Sequence, residues 1–252
     1  MEVAARLGLG ARAVIYLLIG VLTLVLAFGR SRPETDQRGA LQALTAQPGG
    51  AALLFVIGVG LAGYALWRLT EAVVGTAGDG KKAGPRLKSL ARSVAYTVLA
   101  VTAFEVLAGR HSSQAAQSSG MSARLMAHSG GRLLLGLIGV VIAVVGLVLA
   151  VEGLRRSFEK YLRLGGLSAR ARRLVITLGV VGTVARGALF ALAGVLVIEA
   201  AVRYQPSKAS GVDAAIRTLA EQQFGRILLV VTGLGLLAFG VYGFAEARWR
   251  IT

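Results

Sequence analysis

A chain of 252 residues that is 55% hydrophobic and 16% charged, with mean hydropathy +0.69, does not suit a soluble domain, which carries about 25% charged residues and leaves roughly a quarter or more of its unfolded surface in water. The net charge of +16 is carried by basic residues flanking apolar runs, a distribution that fits loops beside anionic lipid and argues against nucleic-acid binding. The chain has no cysteine, which excludes disulfides, thiolate metal sites and cysteine nucleophiles.

The first apolar run, 13–29, lies between Arg12 and Arg30. No small-residue cleavage site follows Gly29, so the run reads as a span and not as a cleavable signal. Run 51–67 follows the breaker Pro48-Gly49-Gly50 and ends at Arg68; run 93–109 is interrupted by Glu105; run 133–151 lies between Arg132 and Glu152. Run 174–202 carries Arg186 and Glu199, and run 227–245 lies between Arg226 and Glu246. A bilayer core needs about 20 residues of helix, so the reading is an all-α membrane protein with six transmembrane helices. Open strands would leave amides unpaired in lipid, and the alternation of a barrel strand is absent. The lead-in 174–184 predicts a fifth helix that is longer and tilted, or that begins at the interface. Glycines through the second helices predict close helix contacts.

Self-comparison reveals three copies of one unit. Ala11-Arg12-Ala13-Val14-Ile15-Tyr16 matches Ala91-Arg92-Ser93-Val94-Ala95-Tyr96 and Ala185-Arg186-Gly187-Ala188-Leu189-Phe190. A glutamate closes each unit 59 or 60 residues after its arginine, at Glu71, Glu152 and Glu246. Between them a leucine stands six residues before a glycine, Leu44 to Gly50, Leu125 to Gly131 and Leu219 to Gly225. Each unit is therefore a two-helix hairpin: 1–75, 86–155 and 174–252, with a basic cytoplasmic linker at 156–173, together one membrane domain. Two spans per unit make the three hairpins parallel and predict pseudo-threefold symmetry about the membrane normal.

The charges follow the repeat. Arg12, Arg92 and Arg186 open first helices and Glu71, Glu152 and Glu246 close second helices, so all six fall at one level and can pair within a hairpin or between neighbours. Glu105 and Glu199 sit 13 residues after their repeat arginines, where the first repeat has Val25. Arg132 and Arg226 begin second helices in the same two repeats. Isolated carboxylates are costly in hydrocarbon, so the expectation is two outer ion pairs, Glu105–Arg132 and Glu199–Arg226. Their paired presence favours a staple within each hairpin over a proton or cation relay.

Most basic residues, with both termini, fall on one side, which the positive-inside rule makes cytoplasmic. Within the basic stretch, Arg155, Arg156, Arg170, Arg172 and Arg173 are candidates for binding anionic headgroups. Tyr16, Tyr64, Trp67, Tyr96, Tyr161, Tyr242 and Trp249 lie near span ends, as interfacial anchors do. His111 and His128 read as solvated loop residues and not as metal ligands. No catalytic set, phosphate loop or cofactor motif emerges.

The Ala-Arg-x-x-x-Tyr/Phe starts, the turn Leu219-Ala220-Glu221-Gln222-Gln223-Phe224-Gly225-Arg226 and the glutamate-ending second helices resemble a bacterial, largely actinobacterial, membrane family called domain of unknown function 1206, which usually carries three tandem copies. Pro48-Gly49-Gly50-Ala51 departs from that turn. The resemblance implies a multi-pass plasma-membrane protein and supplies no activity. The expectation is a non-enzymatic structural or accessory component that binds membrane lipids or a membrane protein partner. The alternative is a small ion or solute channel or transporter using Glu105 and Glu199.

Overall fold

The computed structural model describes residues 2–29, 34–75, 83–110 and 113–249, with the side chains of 2–5, 85 and 88 left aside; His111 lies outside the described residues. The helices are α1 (Glu2–Ala27), α2 (Gln37–Thr45), α3 (Gly50–Val74), α4 (Ala83–Leu107), α5 (Gln114–Met126), α6 (Gly131–Leu154), α7 (Ala169–Arg203), α8 (Val212–Ala220) and α9 (Gly225–Trp249). Among the described residues there is no β-strand. Helices α1, α3, α4, α6, α7 and α9 are long and apolar enough to cross a membrane. The short helices α2, α5 and α8 sit at the far end, opposite the end that carries both termini.

The helices join across repeats. The second helix of each repeat lies on the first helix of the next: α3 on α4, α6 on α7, and α9 back on α1. Within repeats, α1 also packs on α3 and α7 on α9, but α4 and α6 make no comparable contact. The ring is thus less closed at the second repeat. Helix α6 lies at its rim: 17% of its most apolar window is buried, against 44% for α1.

The leucine-to-glycine signature has a steric cause. Each far-end helix runs directly into the second long helix, and the chain reverses so tightly that the first residue of that helix lies on the preceding carbonyls. A Cβ on Gly50 would stand 1.9 Å from the Leu44 carbonyl oxygen, and one on Gly131 would stand 1.7 Å from that of Leu125. At Gly225 the Ala220 carbonyl oxygen would be 2.1 Å away. The side chains of Asp36 and Ser113 cap α2 and α5 by accepting from the Gly39 and Ala116 amides, which satisfies amides the helix itself leaves open.

The seam between α6 and α7 is backbone against backbone. A Cβ on Gly146 would lie 2.2 Å from the Ala191 nitrogen, and one on Gly194 would lie 2.3 Å from the Ala143 nitrogen. Gly139 faces Gly194 and Gly146 faces Gly187, so small residues recur along both antiparallel helices. Such approach maximises dispersion and admits Cα–H···O contacts, the forces left when lipid removes the hydrophobic drive between helices. Gly20 and Gly233 make a similar contact between α1 and α9.

Helix α7 has 35 residues, about 52 Å at 1.5 Å per residue, against a hydrocarbon layer of about 30 Å. Its first turns extend the body at the terminal end. The last residues of the basic linker expected at 156–173 therefore belong to a helix, because Ser168 caps α7 by accepting from the Ala171 amide.

Gly146→Ala is expected to lose about 2 kcal/mol or more from overpacking, a fall of roughly 5 °C in the Tm of the detergent-solubilised protein. Gly136→Ala, on the same helix with its nearest neighbour 3.8 Å from the added carbon, is expected to leave Tm within about 1 °C. Equal effects at the two positions would contradict the seam.

Candidate functional site

The chain's charges concentrate at the two ends of the bundle. At the terminal end, Arg12 of α1 pairs with Glu246 of α9, joining the first repeat to the last. The Arg12 guanidinium lies over the Phe239 ring, 5.2 Å from its centroid, and the Arg186 guanidinium lies 5.0 Å from the same centroid. Arg186 is also 5.2 Å from the Tyr16 ring and 5.3 Å from Phe190. Tyr16 and Phe239 meet edge to face at 4.7 Å. Two cations thus flank aromatic rings in the space between α1, α7 and α9, where ring quadrupoles replace part of the water each guanidinium gives up.

The first repeat adds Arg68, absent from the sequence candidates. Its guanidinium donates to the Tyr64 hydroxyl at 3.0 and 2.7 Å and to Glu71 at 2.6 Å, and it lies 4.4 Å from the Trp67 centroid. Glu71 also accepts from the Ser89 hydroxyl of α4 at 3.2 Å, so it links the first repeat to the second. Arg86 of α4 donates to the Ala72 and Val73 carbonyls at the end of α3. Arg92 and Glu152 lie at the same end and are both engaged. The signal for Arg68 was an arginine three residues before a glutamate, which reads as a span end.

At the far end the expected partners are replaced. Glu105 accepts from Arg38 of α2 at 3.0 Å, and Arg38 also donates to the Arg110 carbonyl at 3.0 Å. Glu199 is held by Lys208 at 2.6 Å and Arg203 at 3.2 Å. Arg132 donates to the carbonyls of Ala201 and Val202 at 3.1 and 2.8 Å. Arg226 lies 5.0 Å from the Phe28 centroid. The pairs Glu105–Arg132 and Glu199–Arg226 are therefore not the ones formed. The reason is the cross-repeat packing: the start of each second helix lies beside the next repeat's first helix, so Arg132 meets the end of α7 and Arg226 meets the end of α1.

A third far-end junction joins the last repeat to the first. Asp213 of α8 accepts from the Thr35 amide and hydroxyl, both at 2.9 Å, and from Arg217 at 2.6 Å. Asp36 beside it is 1% exposed, and its Oδ2 is buried with no hydrogen-bond partner. Burial pushes the Asp36 carboxyl up to about 6; the Gly39 amide opposes this, while Glu34 and Asp213 add repulsion.

The aromatic residues are also redistributed. Tyr16, Tyr64, Tyr96 and Tyr242 are buried in the core and not at the surface as anchors: Arg186 and Arg68 lie over the rings of Tyr16 and Tyr64, and Tyr96 and Tyr242 pack edge to face on Tyr64 and Phe158. Tyr161 is exposed. His128 is exposed, its ring Nδ1 2.9 Å from the Arg124 carbonyl. Among the described residues no cluster of three His, Cys, Asp or Glu side chains is arranged to hold a metal.

Arg155, Arg156, Arg170, Arg172 and Arg173 are all exposed. Arg156, Arg172 and Arg173 line one cavity of about 590 Å³. Arg155 lines a second of about 320 Å³, with Glu152 and the apolar side chains of Leu147, Val148 and Val151. Arg170 borders neither.

The family model described as Domain of Unknown Function (DUF1206) matches residues 7–75, 87–156 and 181–250. The chain belongs to this DUF1206 family. Each match encloses one arginine-to-glutamate unit, from Arg12 to Glu71, Arg92 to Glu152 and Arg186 to Glu246. A Bacillus subtilis (strain 168) relative, "Uncharacterized protein YxxB", is 31% identical over 248 residues, which cover 97% of this chain and 90% of the relative. No solved structure matches.

Two outcomes follow for this DUF1206 chain. A double-mutant cycle on Arg38 and Glu105 is expected to give about 1 kcal/mol of coupling, while a cycle on Arg132 and Glu105 gives about zero; the reverse ranking would contradict the far-end assignment. Asp36 binds its proton more tightly folded than unfolded, so it lowers stability at pH above 6 and this penalty disappears as pH falls below the unfolded value near 4. Asp36→Asn keeps a capping side chain and removes the buried charge. It is expected to raise stability by up to about 3 kcal/mol at pH 7.5 and to have no such effect at pH near 4, as measured by thermal unfolding across that range.

Proposed function

We propose that this protein is a non-enzymatic structural or accessory component of a bacterial plasma membrane, with both termini cytoplasmic, that associates with lipid or with a membrane protein complex. One observation carries the reading: the charges at membrane depth are committed to joints between helices. Arg12–Glu246 and Arg38–Glu105 each tie one repeat to another, and Glu199 is held between two cations. A relay needs carboxylates that can exchange protons with water along a path. These carboxylates instead hold partners at 2.6 to 3.2 Å. The space between α1, α7 and α9 is filled by Tyr16, Phe239 and Arg186, which supports a packed body over a pore. The cytoplasmic orientation is supported by the excess of arginine and lysine at the terminal end.

Reconstitution in liposomes tests this. The wild-type protein is expected to carry no proton or monovalent-cation flux above that of protein-free liposomes, and Glu105→Gln and Glu199→Gln are expected to lower Tm without changing flux. A wild-type flux abolished by either substitution would overturn the structural reading and establish transport. Purification in native lipid, with mass spectrometry of what travels with the protein, then identifies the companion lipid or protein.

A further inference from the structure

We propose that the cavity lined by Arg156, Arg172 and Arg173 binds the phosphate group of an anionic phospholipid headgroup; this rests on the lipid-associated reading above and names its site. The cavity, of about 590 Å³, lies at the terminal end between the corner that ends α6 and the first turns of α7. Its cationic rim comes from three arginines, none with an acidic partner among the described residues. They differ in this from Arg12, Arg38, Arg68 and Arg217, which each hold a carboxylate. Planar guanidinium groups that line one volume suit the oxygens of a phosphate, which can accept two parallel N–H bonds from one fork.

Leu164, Leu167 and Ile176 add an apolar floor, with Thr177 the other polar side chain in the lining. An anion site open only to water gains nothing from such a floor, whereas the glycerol and first methylenes of a lipid do. The segment beneath is anchored and not a loose loop. Leu162 and Leu164 are buried, the Arg163 amide donates to the Trp249 carbonyl at 2.8 Å, and Phe158 meets Tyr242 edge to face at 5.1 Å. These contacts hold the cavity at the level where α6 and α9 end, the depth of headgroup phosphates if those helices span the bilayer.

The backbone at Arg156 is the second observation. Helix α6 ends in a Schellman turn: the Ser157 amide donates to the Glu152 carbonyl and the Arg156 amide to that of Gly153. The residue at that bend takes a left-handed conformation, φ 54° at Arg156, which favours glycine. The C-terminus of α4, at the far end, closes with the same two bonds around a glycine, Gly109 at φ 74°. An arginine at this bend is a conformational cost without a local return, and a strained residue beside a cavity marks a functional side chain. Among the described residues the other left-handed one that is not glycine, Tyr204, has the Arg132 guanidinium over its ring.

The test uses the full-length protein in an uncharged detergent, with Tm followed as phosphatidylglycerol, phosphatidylcholine or inorganic phosphate is added. Phosphatidylglycerol is expected to raise Tm saturably; phosphatidylcholine and inorganic phosphate at matched concentration are not. Arg172→Gln and Arg173→Gln are each expected to raise the half-saturating phosphatidylglycerol concentration about tenfold, the loss of one charge-assisted contact. Arg156→Gly relaxes the bend, so it is expected to raise the lipid-free Tm by about 2 °C while weakening the lipid effect about tenfold. A purely structural arginine predicts the first change without the second. Wild-type half-saturation in Arg156→Gly and both glutamine variants would overturn this site and leave the lipid-associated reading standing. An equal Tm rise from inorganic phosphate would overturn the lipid assignment in favour of a soluble anion. No lipid effect on the wild-type protein would overturn both the site and the association with lipid.

Discussion

Close backbone approach where α6 meets α7 and where α1 meets α9, two of the three places at which one repeat lies on the next, is the constraint on which the other contacts depend. Where lipid surrounds a helix, side chains gain little by leaving it for a neighbour, so association rests on dispersion and weak backbone contacts that require small residues. Gly139, Gly146, Gly187 and Gly194 supply them along α6 and α7, and Gly20 and Gly233 between α1 and α9. Once those seams form, each hairpin is divided between two neighbours. The leucine-to-glycine turn makes this feasible, because Gly50, Gly131 and Gly225 let a short helix run into a long one with no room for a side chain.

The charges then take the partners that this arrangement presents. Arg132 reaches the carbonyl end of α7 and Arg226 the aromatic end of α1, since each starts a helix that lies on the next repeat. Glu105, left on a helix without comparable packing against α6, is met by Arg38 from the first repeat. The three far-end junctions use three chemistries: an ion pair, arginine on exposed carbonyls, and a buried aspartate accepting from Thr35. The threefold plan is thus a plan of backbones. Its joints are individual because an ion pair, a helix-end cap and a buried acceptor each satisfy the same need, a partner for a polar group away from water.

The second repeat and the extended α7 carry the largest departures from symmetry, and they adjoin. Helix α6 is the most apolar of the six spans and the least buried. At its terminal end the chain turns at Arg156, tucks Leu162 and Leu164 beneath the bundle and re-enters as α7. A basic stretch that composition alone assigns to topology becomes a shaped surface, because buried leucines and the Trp249 carbonyl fix its path.

Much of this was legible in the sequence. Apolar runs of helical length, bounded by charges, were enough to locate the six span-capable helices, since length and hydropathy are local properties. The repeat was visible because Arg12, Arg92 and Arg186 stand 59 or 60 residues before Glu71, Glu152 and Glu246, and the glycine at each far-end turn is required by clashes only five or six residues away in the chain. Partner choice was not legible. Glu105 and Arg132 share a repeat, but α4 and α6 do not close on each other, and Arg38, which does pair with Glu105, has no counterpart of its charge in the other two repeats. Tyr64 and Tyr96 looked like interfacial anchors until their neighbours were in place. Spans and turns follow from what a residue's own stretch of chain can do; salt bridges and ring contacts follow from which helices meet, and only the tertiary structure decided that.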